Sequence, residues 1–320
     1  MSSDEARARL SELTDFAAPW AVWIAATLRL SDHIEAGATR VDDLAERAGA
    51  DADSLGRLLR YLVARGVFAE TGSGYANTDV SRMLVDEAGW RSWLDLDGAP
   101  AIWAESWTWL LQAVRTGSPG HDESWFYGEL ARTGRGRSFD ALMALQVEPN
   151  AQRIADDYDW SSVTHVVDVG GGTGVMLRTL LDRHPHLRGT LFDLPQVVAD
   201  VSPGERLEVV AGNLFADSVP PGHAFILSQI IHGHPDQRAA QILSRCVEAG
   251  DDDLRILLVE GVISDPPSAD AASFDLFMLT LTGGRQRTLD EFRQLAASVG
   301  LEVRSSWALP YDNSLIELRR

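Results

Sequence analysis

Apolar positions recur at helical spacing over the first 80 or so residues. PWAVWIAATLRLSDHIEAG predicts a helical stretch, and VDDLAERAGADADSLGRLLRYLVARGVFAET predicts two short helices around a Gly-Ala turn. GVFAETGSGYANT predicts a small β-wing with a Gly-Ser-Gly tip. Helix, turn, helix and wing together make a winged-helix pattern. Residues from about 85 to 158 continue helical and are rich in tryptophan. From Val163 the pattern changes. Short apolar runs (THVVDVG, GTLFDLP, LEVVAG, AFILSQII, LRILLVEGVI) alternate with helical stretches such as VMLRTLLDRHP and PDQRAAQILSRCVEAG. That alternation predicts an α/β domain, a parallel sheet covered by helices on both faces. LEVRSSWAL and SLIELRR flank PYDN and predict a closing hairpin.

The obvious reading of a winged helix is DNA binding, and charge argues against it. Between Arg40 and Glu70 five arginines face six carboxylates, and the whole chain of 320 residues carries a formal charge of −19. Phosphate neutralisation needs the opposite sign. We therefore read this segment as an interaction or dimerisation module and expect neither nucleic acid nor an anionic membrane as a partner. No run reaches the roughly 18 apolar residues of a membrane span. MSSDEARARL has neither the apolar core of a secretory signal nor the acid-poor character of a transit peptide, so a cytoplasmic location is expected. All 28 cationic residues are arginine, which argues against a P-loop and excludes lysine Schiff-base chemistry. The one cysteine, Cys246, excludes an intrachain disulfide and any multi-cysteine metal site.

VVDVGGGTG ends the first strand of the α/β region and leads into a helix. Gly170, Gly172 and Gly174 permit a tight turn and close backbone approach to a ligand. A dinucleotide fingerprint would place its third glycine where Val175 stands, which disfavours a nicotinamide dinucleotide. Asp193 ends the second strand, 23 residues after Gly170, where a carboxylate can accept from ribose hydroxyls; the plain alternative is a solvated strand-end carboxylate. Asp168, just before the loop, could hold an ammonium group indirectly. The set suits an amino-acid-bearing nucleoside better than a diphosphate. Trp103 and Trp107, four residues apart on one helix face, are read first as core packing and second as the wall of a pocket for a flat aromatic ligand. IIHGHPD leaves three readings open: a proton acceptor, part of a metal site, or polar residues at a strand end.

VVDVGGGTG, GTLFDLPQVV, AGNLF, LSQIIHGHPD and LTGGRQRTLDEF together resemble the S-adenosylmethionine-dependent O-methyltransferases of the hydroxyindole, caffeic-acid and polyketide-tailoring type, over nearly the whole chain. The resemblance implies a Rossmann-like class I methyltransferase domain over 161–320, pocket helices over 101–160, and a winged-helix dimerisation domain over 1–100. It implies a homodimer acting on a small aromatic molecule. Its style is that of actinobacterial natural-product enzymes. Carried onto this chain, it places Gly170 and Gly172 at the methionine end of S-adenosylmethionine, Asp193 at the ribose, and Leu194, Asn213 and Leu214 beside the adenine. Asn213 replaces a usual aspartate, and Ser228 stands where many relatives have lysine.

His232 falls on the general-base position of that family. A phenol of pKa near ~10 is mostly protonated at neutral pH, so a neutral imidazole in reach helps remove its proton. Glu260 matches one carboxylate that orients the base, whereas Gln286 replaces the other and cannot stabilise imidazolium by charge. The usual Asp-Trp after the base is Gly233-His234. Phe139, Met143, Phe274, Asp275 and Met278 occupy pocket-side helices by resemblance, with plain structural roles as the alternative. No metal is expected, although Glu260 could complete a site with His232 and His234. The departures around His232 also leave C- or N-methylation, hydroxylation and rearrangement open. A regulator built on the same scaffold is the alternative outside enzymes.

Overall fold

The computed structural model describes residues 1–85, 89–121 and 124–320. Residues 86–88 and 122–123 of the region read as helical therefore lie outside the described residues. The chain forms two compact units, Met1–Ala101 and Ile102–Arg320.

In the first unit α1 (Ser3–Leu13), α2 (Ala17–Thr27), α3 (Leu30–Glu35), α4 (Val41–Ala48) and α5 (Ala52–Ala64) precede an antiparallel pair, β1 (Phe68–Thr71) and β2 (Gly74–Asn77). Short helices α6 (Asp79–Arg82) and α7 (Arg91–Leu94) follow. Asp51 accepts the backbone N–H of Ser54 at 2.9 Å, so α5 starts where its sequence supplies a cap. Leu55, Leu59 and Leu62 then face one side of α5 and pack with Leu44, Ala25, Ala26 and Phe68. α1 differs. A Ser2–Glu5 capping box starts it, yet it buries none of its residues, and Leu10, Leu13 and the following Phe16 are exposed.

The second unit holds a seven-stranded sheet of order β5-β4-β3-β6-β7-β9-β8. Its parallel strands are β3 (His165–Val169), β4 (Arg188–Asp193), β5 (Leu207–Ala211), β6 (Gly222–Ser228) and β7 (Gly250–Gly261). β8 (Glu302–Ala308) and β9 (Asn313–Arg319) form the antiparallel hairpin that closes one edge against β7. α8 (Pro100–Ser106), α9 (Leu110–Thr116), α10 (Trp125–Thr133) and α11 (Gly136–Asp157) come before the sheet. α12 (Val175–Arg183), α13 (Pro195–Val198), α14 (Asp236–Ala249), α15 (Ala269–Leu281) and α16 (Leu289–Ala297) connect its strands.

The central strands are apolar throughout because both faces are covered. On one face Ile154, Leu177 and Leu180 of α11 and α12 pack with Leu191 and Ile226. On the other, Ile242, Leu243 and Cys246 of α14 and Phe292 of α16 pack with Val167, Phe225 and Leu258. β3 has β4 on one side and β6 on the other, so the chain reverses its direction of winding between them. The carboxyl ends of β3 and β6 therefore border a crevice, the place where open α/β sheets bind ligands.

Candidate active site

A cavity of about 690 Å³ opens at that crevice. Asp168, Gly170, Gly172, Asp193, Leu194, Asn213, Leu214 and Ser228, the residues expected at a cofactor, all line it, as do Phe139 and Met143 of α11. The loop after β3 carries Gly170, Gly172 and Gly174 at positive φ, and Gly174 opens α12. Gly171 lies so close to the Asp168 carboxylate and Leu191 that a Cβ there would overlap both. The backbone thus packs on the Asp168 carboxylate, and only glycine allows it.

Asp193 fixes the loop from the next strand. Its Oδ2 accepts the Gly172 N–H at 2.7 Å and its Oδ1 accepts the Leu194 N–H at 2.6 Å. Burial raises its pKa and the two donors oppose the rise. Asp193 is thus a hydrogen-bonded, largely buried group and not a solvated strand end. Asn213 is exposed and turns its Oδ1 to the Phe215 N–H at 2.8 Å, so the amide caps its own turn. The amide oxygen keeps a second lone pair beside the cavity. Phe215, also in the lining, has the His234 ring edge-on at 5.2 Å and the Arg238 guanidinium 3.5 Å over its face. Tyr127 of α10 and Asp140 of α11 line the same cavity and were not singled out by the sequence.

His232 belongs to a second cluster next to this lining. It sits in a 3₁₀ turn, Ile231–Gly233, between Ile230 and His234, which line the cavity. His232 itself, Glu260, Gln286, Trp103, Phe274, Asp275 and Met278 are not among the lining residues. The His232 Nδ1 lies 3.4 Å from the Glu260 Oε2 and 3.3 Å from the Gln286 Nε2. Glu260 ends the apolar run of β7 and is fully buried; its Oε1 accepts the N–H groups of Ile231 at 2.7 Å and His232 at 3.4 Å. One side chain thus holds the backbone of the histidine segment through Oε1 and brings Oε2 close to the ring. The Phe274 ring meets the His232 ring at 5.7 Å, edge-on. The Asp275 Oδ1 accepts the Gln286 N–H at 2.7 Å, tying α15 to the glutamine loop. Met278 is buried, and its carbonyl accepts the N–H groups of Thr282 and Gly284 where α15 ends.

Trp103 and Trp107 do not share one α-helix. α8 ends at Ser106, and Trp107 begins a 3₁₀ turn, Trp107–Trp109. Both rings nevertheless reach Phe277 of α15, at 5.8 and 6.2 Å, and the Phe274 ring lies 5.9 Å further on. An aromatic series therefore leads to the histidine. Phe277 is a member that the sequence reading missed.

The GGRQRT segment acts on the histidine loop through its backbone and Arg287. Gly284 packs on the backbone of His232 and Gly233 with no room for a Cβ, and the Arg285 N–H donates to the His232 carbonyl at 2.9 Å. Arg287, 1% exposed, donates to the carbonyls of Ile231 at 3.0 Å and His234 at 2.9 Å, and to Asp236 at 2.7 and 3.0 Å. One guanidinium thus fixes both ends of the turn that carries His232. Arg287 lies in the GGRQRT segment that carries the resemblance, but the sequence does not show its role, which depends on a contact across 51 residues of chain.

Burial acts on both members of the central pair. It pushes His232 down to about 4, helped by the charges of His234 and Arg287. It pushes Glu260 up to about 8, against the pull of the backbone donors and Arg287. The imidazole is therefore neutral near pH 7. Its Nδ1 faces Glu260 and Gln286. Among the described residues no three His, Cys, Asp or Glu side chains converge as metal ligands, so His232, His234 and Glu260 do not assemble into one set.

A glycine loop at a switch point, with a carboxylate from the next strand braced against it, defines a class I methyltransferase domain. The family of O-methyltransferase domains matches residues 110–302, and the O-methyltransferase dimerisation domain matches residues 11–87. The chain is 39% identical to 2,7-dihydroxy-5-methyl-1-naphthoate 7-O-methyltransferase of Streptomyces carzinostaticus, covering 99% of each chain. It is 37% identical to aclacinomycin 10-hydroxylase RdmB of Streptomyces purpurascens, over 96% of this chain and 89% of that one. Among solved structures, the O-methyltransferase NcsB1 from neocarzinostatin biosynthesis, in complex with S-adenosylmethionine and 2-hydroxy-5-methyl naphthoic acid, superposes with a TM-score of 0.86 at 38% identity, covering 96% of this chain and 97% of that one. The chain belongs to the S-adenosylmethionine-dependent O-methyltransferases.

Proposed function

We propose that this enzyme methylates a hydroxyl of an aromatic or polyketide-type secondary metabolite, acts as a cytoplasmic homodimer, and uses His232 as its general base. The observation that carries the reading is the half-buried, neutral imidazole whose Nδ1 lies 3.4 Å from Glu260, next to residues that line a cavity fitting the cofactor. The fit rests on the braced glycine loop, the buried carboxylate of Asp168 and the apolar Leu194 and Leu214. Asp193 and the glycine loop would hold the ribose and methionine parts, with the two leucines beside the adenine. When bound, S-adenosylmethionine supplies an electrophilic methyl group. The protein's part is to position the acceptor and take its proton. The aromatic series Trp107–Phe277–Phe274 suits a flat ring system, consistent with the naphthoate in the name of one relative and the naphthoic acid bound in a solved structure. With its proton on Nδ1, toward Glu260, the neutral His232 ring has Nε2 free to accept the hydroxyl proton as the methyl is transferred.

Incubation with methyl-labelled cofactor and a panel of hydroxynaphthoates tests this reading. Label should enter an ether, and His232→Ala should lower kcat by about 10²–10⁴-fold with cofactor affinity little changed. Undiminished transfer by that variant would remove His232 from the role of base. A second reading, hydroxylation, is favoured by the 37% identity to RdmB and by the Gly233-His234 departure. It predicts an oxygenated product without consumption of the methyl donor.

A further inference from the structure

Three carboxylates line the one cavity: Asp168 from β3, Asp193 from β4 and Asp140 from α11. They are not equivalent. Asp193 accepts two backbone N–H groups, which favours its ionised form. Asp140 is only partly buried. Asp168 has no accessible surface, and among the described residues neither of its oxygens has a hydrogen-bond partner. A buried carboxylate without a donor is costly, and a negative neighbour raises the cost. Cations that could relieve it are engaged elsewhere. Arg178 of α12 donates to the Ser202 carbonyl at 2.8 Å. The Arg238 guanidinium of α14 lies over Phe215 and donates to Gln241 at 3.2 Å. The other titratable groups in the lining, Tyr127 and His234, bring no fixed positive charge. Ser228, whose hydroxyl is also buried without a partner among the described residues, stands where a lysine would have supplied one.

We propose that Asp168 carries a proton before the cofactor enters and surrenders it to solvent when the ammonium group of the cofactor's amino-acid tail arrives, so that cofactor capture is coupled to proton release. The carboxyl O–H bond breaks, the proton passes to buffer, and the carboxylate is left with the ammonium as its counter-ion. The proposal rests on assigning this cavity to S-adenosylmethionine. Its pH range follows from burial and Asp193, which push Asp168 up to about 7 against a smaller opposing pull from the Leu177 backbone N–H. Below that value the proton is present and must leave; above it none remains to be released. Apparent affinity therefore rises with pH up to about 7 and then levels off.

Calorimetric titration in two buffers of different ionisation enthalpy tests this on the intact enzyme. Near pH 6, S-adenosylmethionine and S-adenosylhomocysteine should each release close to one proton, falling away as pH rises through about 7. Methylthioadenosine, which lacks the amino-acid tail, should bind without release. Asp168→Asn should bind more weakly and show no buffer dependence. Should that variant fail to fold, the comparison of the three ligands on the wild-type protein still decides. Binding of both tailed ligands without proton release, release by S-adenosylmethionine alone, or equal release by methylthioadenosine would each overturn the proposal while leaving the cofactor site intact. Failure of all three to bind would instead overturn the assignment of the cavity.

Discussion

His232, the base proposed above, has one carboxyl group and one amide beside its ring. Its Nδ1 faces one carboxylate and one amide, and burial holds its pKa well below the ordinary value of about 6.5. A base with a depressed pKa stays deprotonated as the solution is acidified, so the acid limb of kcat should lie below the ordinary histidine range. Gln286→Glu adds a second carboxylate beside Nδ1, which favours imidazolium and should move that limb to higher pH. A limb that stays in place in the variant would mean that another group controls it. The sequence made this cluster legible because its members lie in recognisable segments. It could not reveal Arg287, Phe277, Tyr127 or Asp140, whose roles arise from tertiary neighbours.

At the level of elements, the catalytic turn is short and irregular, and is kept in shape from outside. Arg287 satisfies the carbonyls at both of its ends, and Gly284 lets the opposite loop pack directly on it. Arg287→Leu leaves two carbonyls without a donor, at a cost of about 1–3 kcal/mol for each that water does not reach. Lower thermal stability together with a fall in kcat, at near-normal cofactor affinity, is the expected result; unchanged kcat in a folded variant would limit Arg287 to stability. The parallel strands were legible as short apolar runs because both faces of the sheet are covered. The end of α8 at Ser106 was not, since nothing in AESWTWL interrupts a helical pattern. The tightening into a 3₁₀ turn still brings Trp103 and Trp107 to the same Phe277.

At the scale of the whole molecule, a charge of −19 coexists with an apolar strip on α1 and the segment after it. Leu10 and Leu13, in a helix that buries nothing, are 62 and 67% exposed, and Phe16 just after it is 84% exposed. The match to a dimerisation domain begins at residue 11, within this helix. A second copy of the chain is thus the occupant that the strip suits. Replacing Leu10 and Leu13 together by Asp should convert a particle of twice the chain mass into a monomer in sedimentation experiments. Stability of the subunit should change by no more than about 0.5 kcal/mol, as for other exposed positions. A dimer that survives the double substitution would place the interface elsewhere.

Cys246 adds a practical corollary. It is fully buried between α14 and the sheet, and burial pushes its thiol up to about 12. Maleimides and similar electrophiles therefore have no native target, and oxidising storage should not link subunits. An engineered surface thiol away from the α1 strip, for instance Asp252→Cys, would take up a fluorophore at that one point, so the native protein is already prepared for single-site labelling.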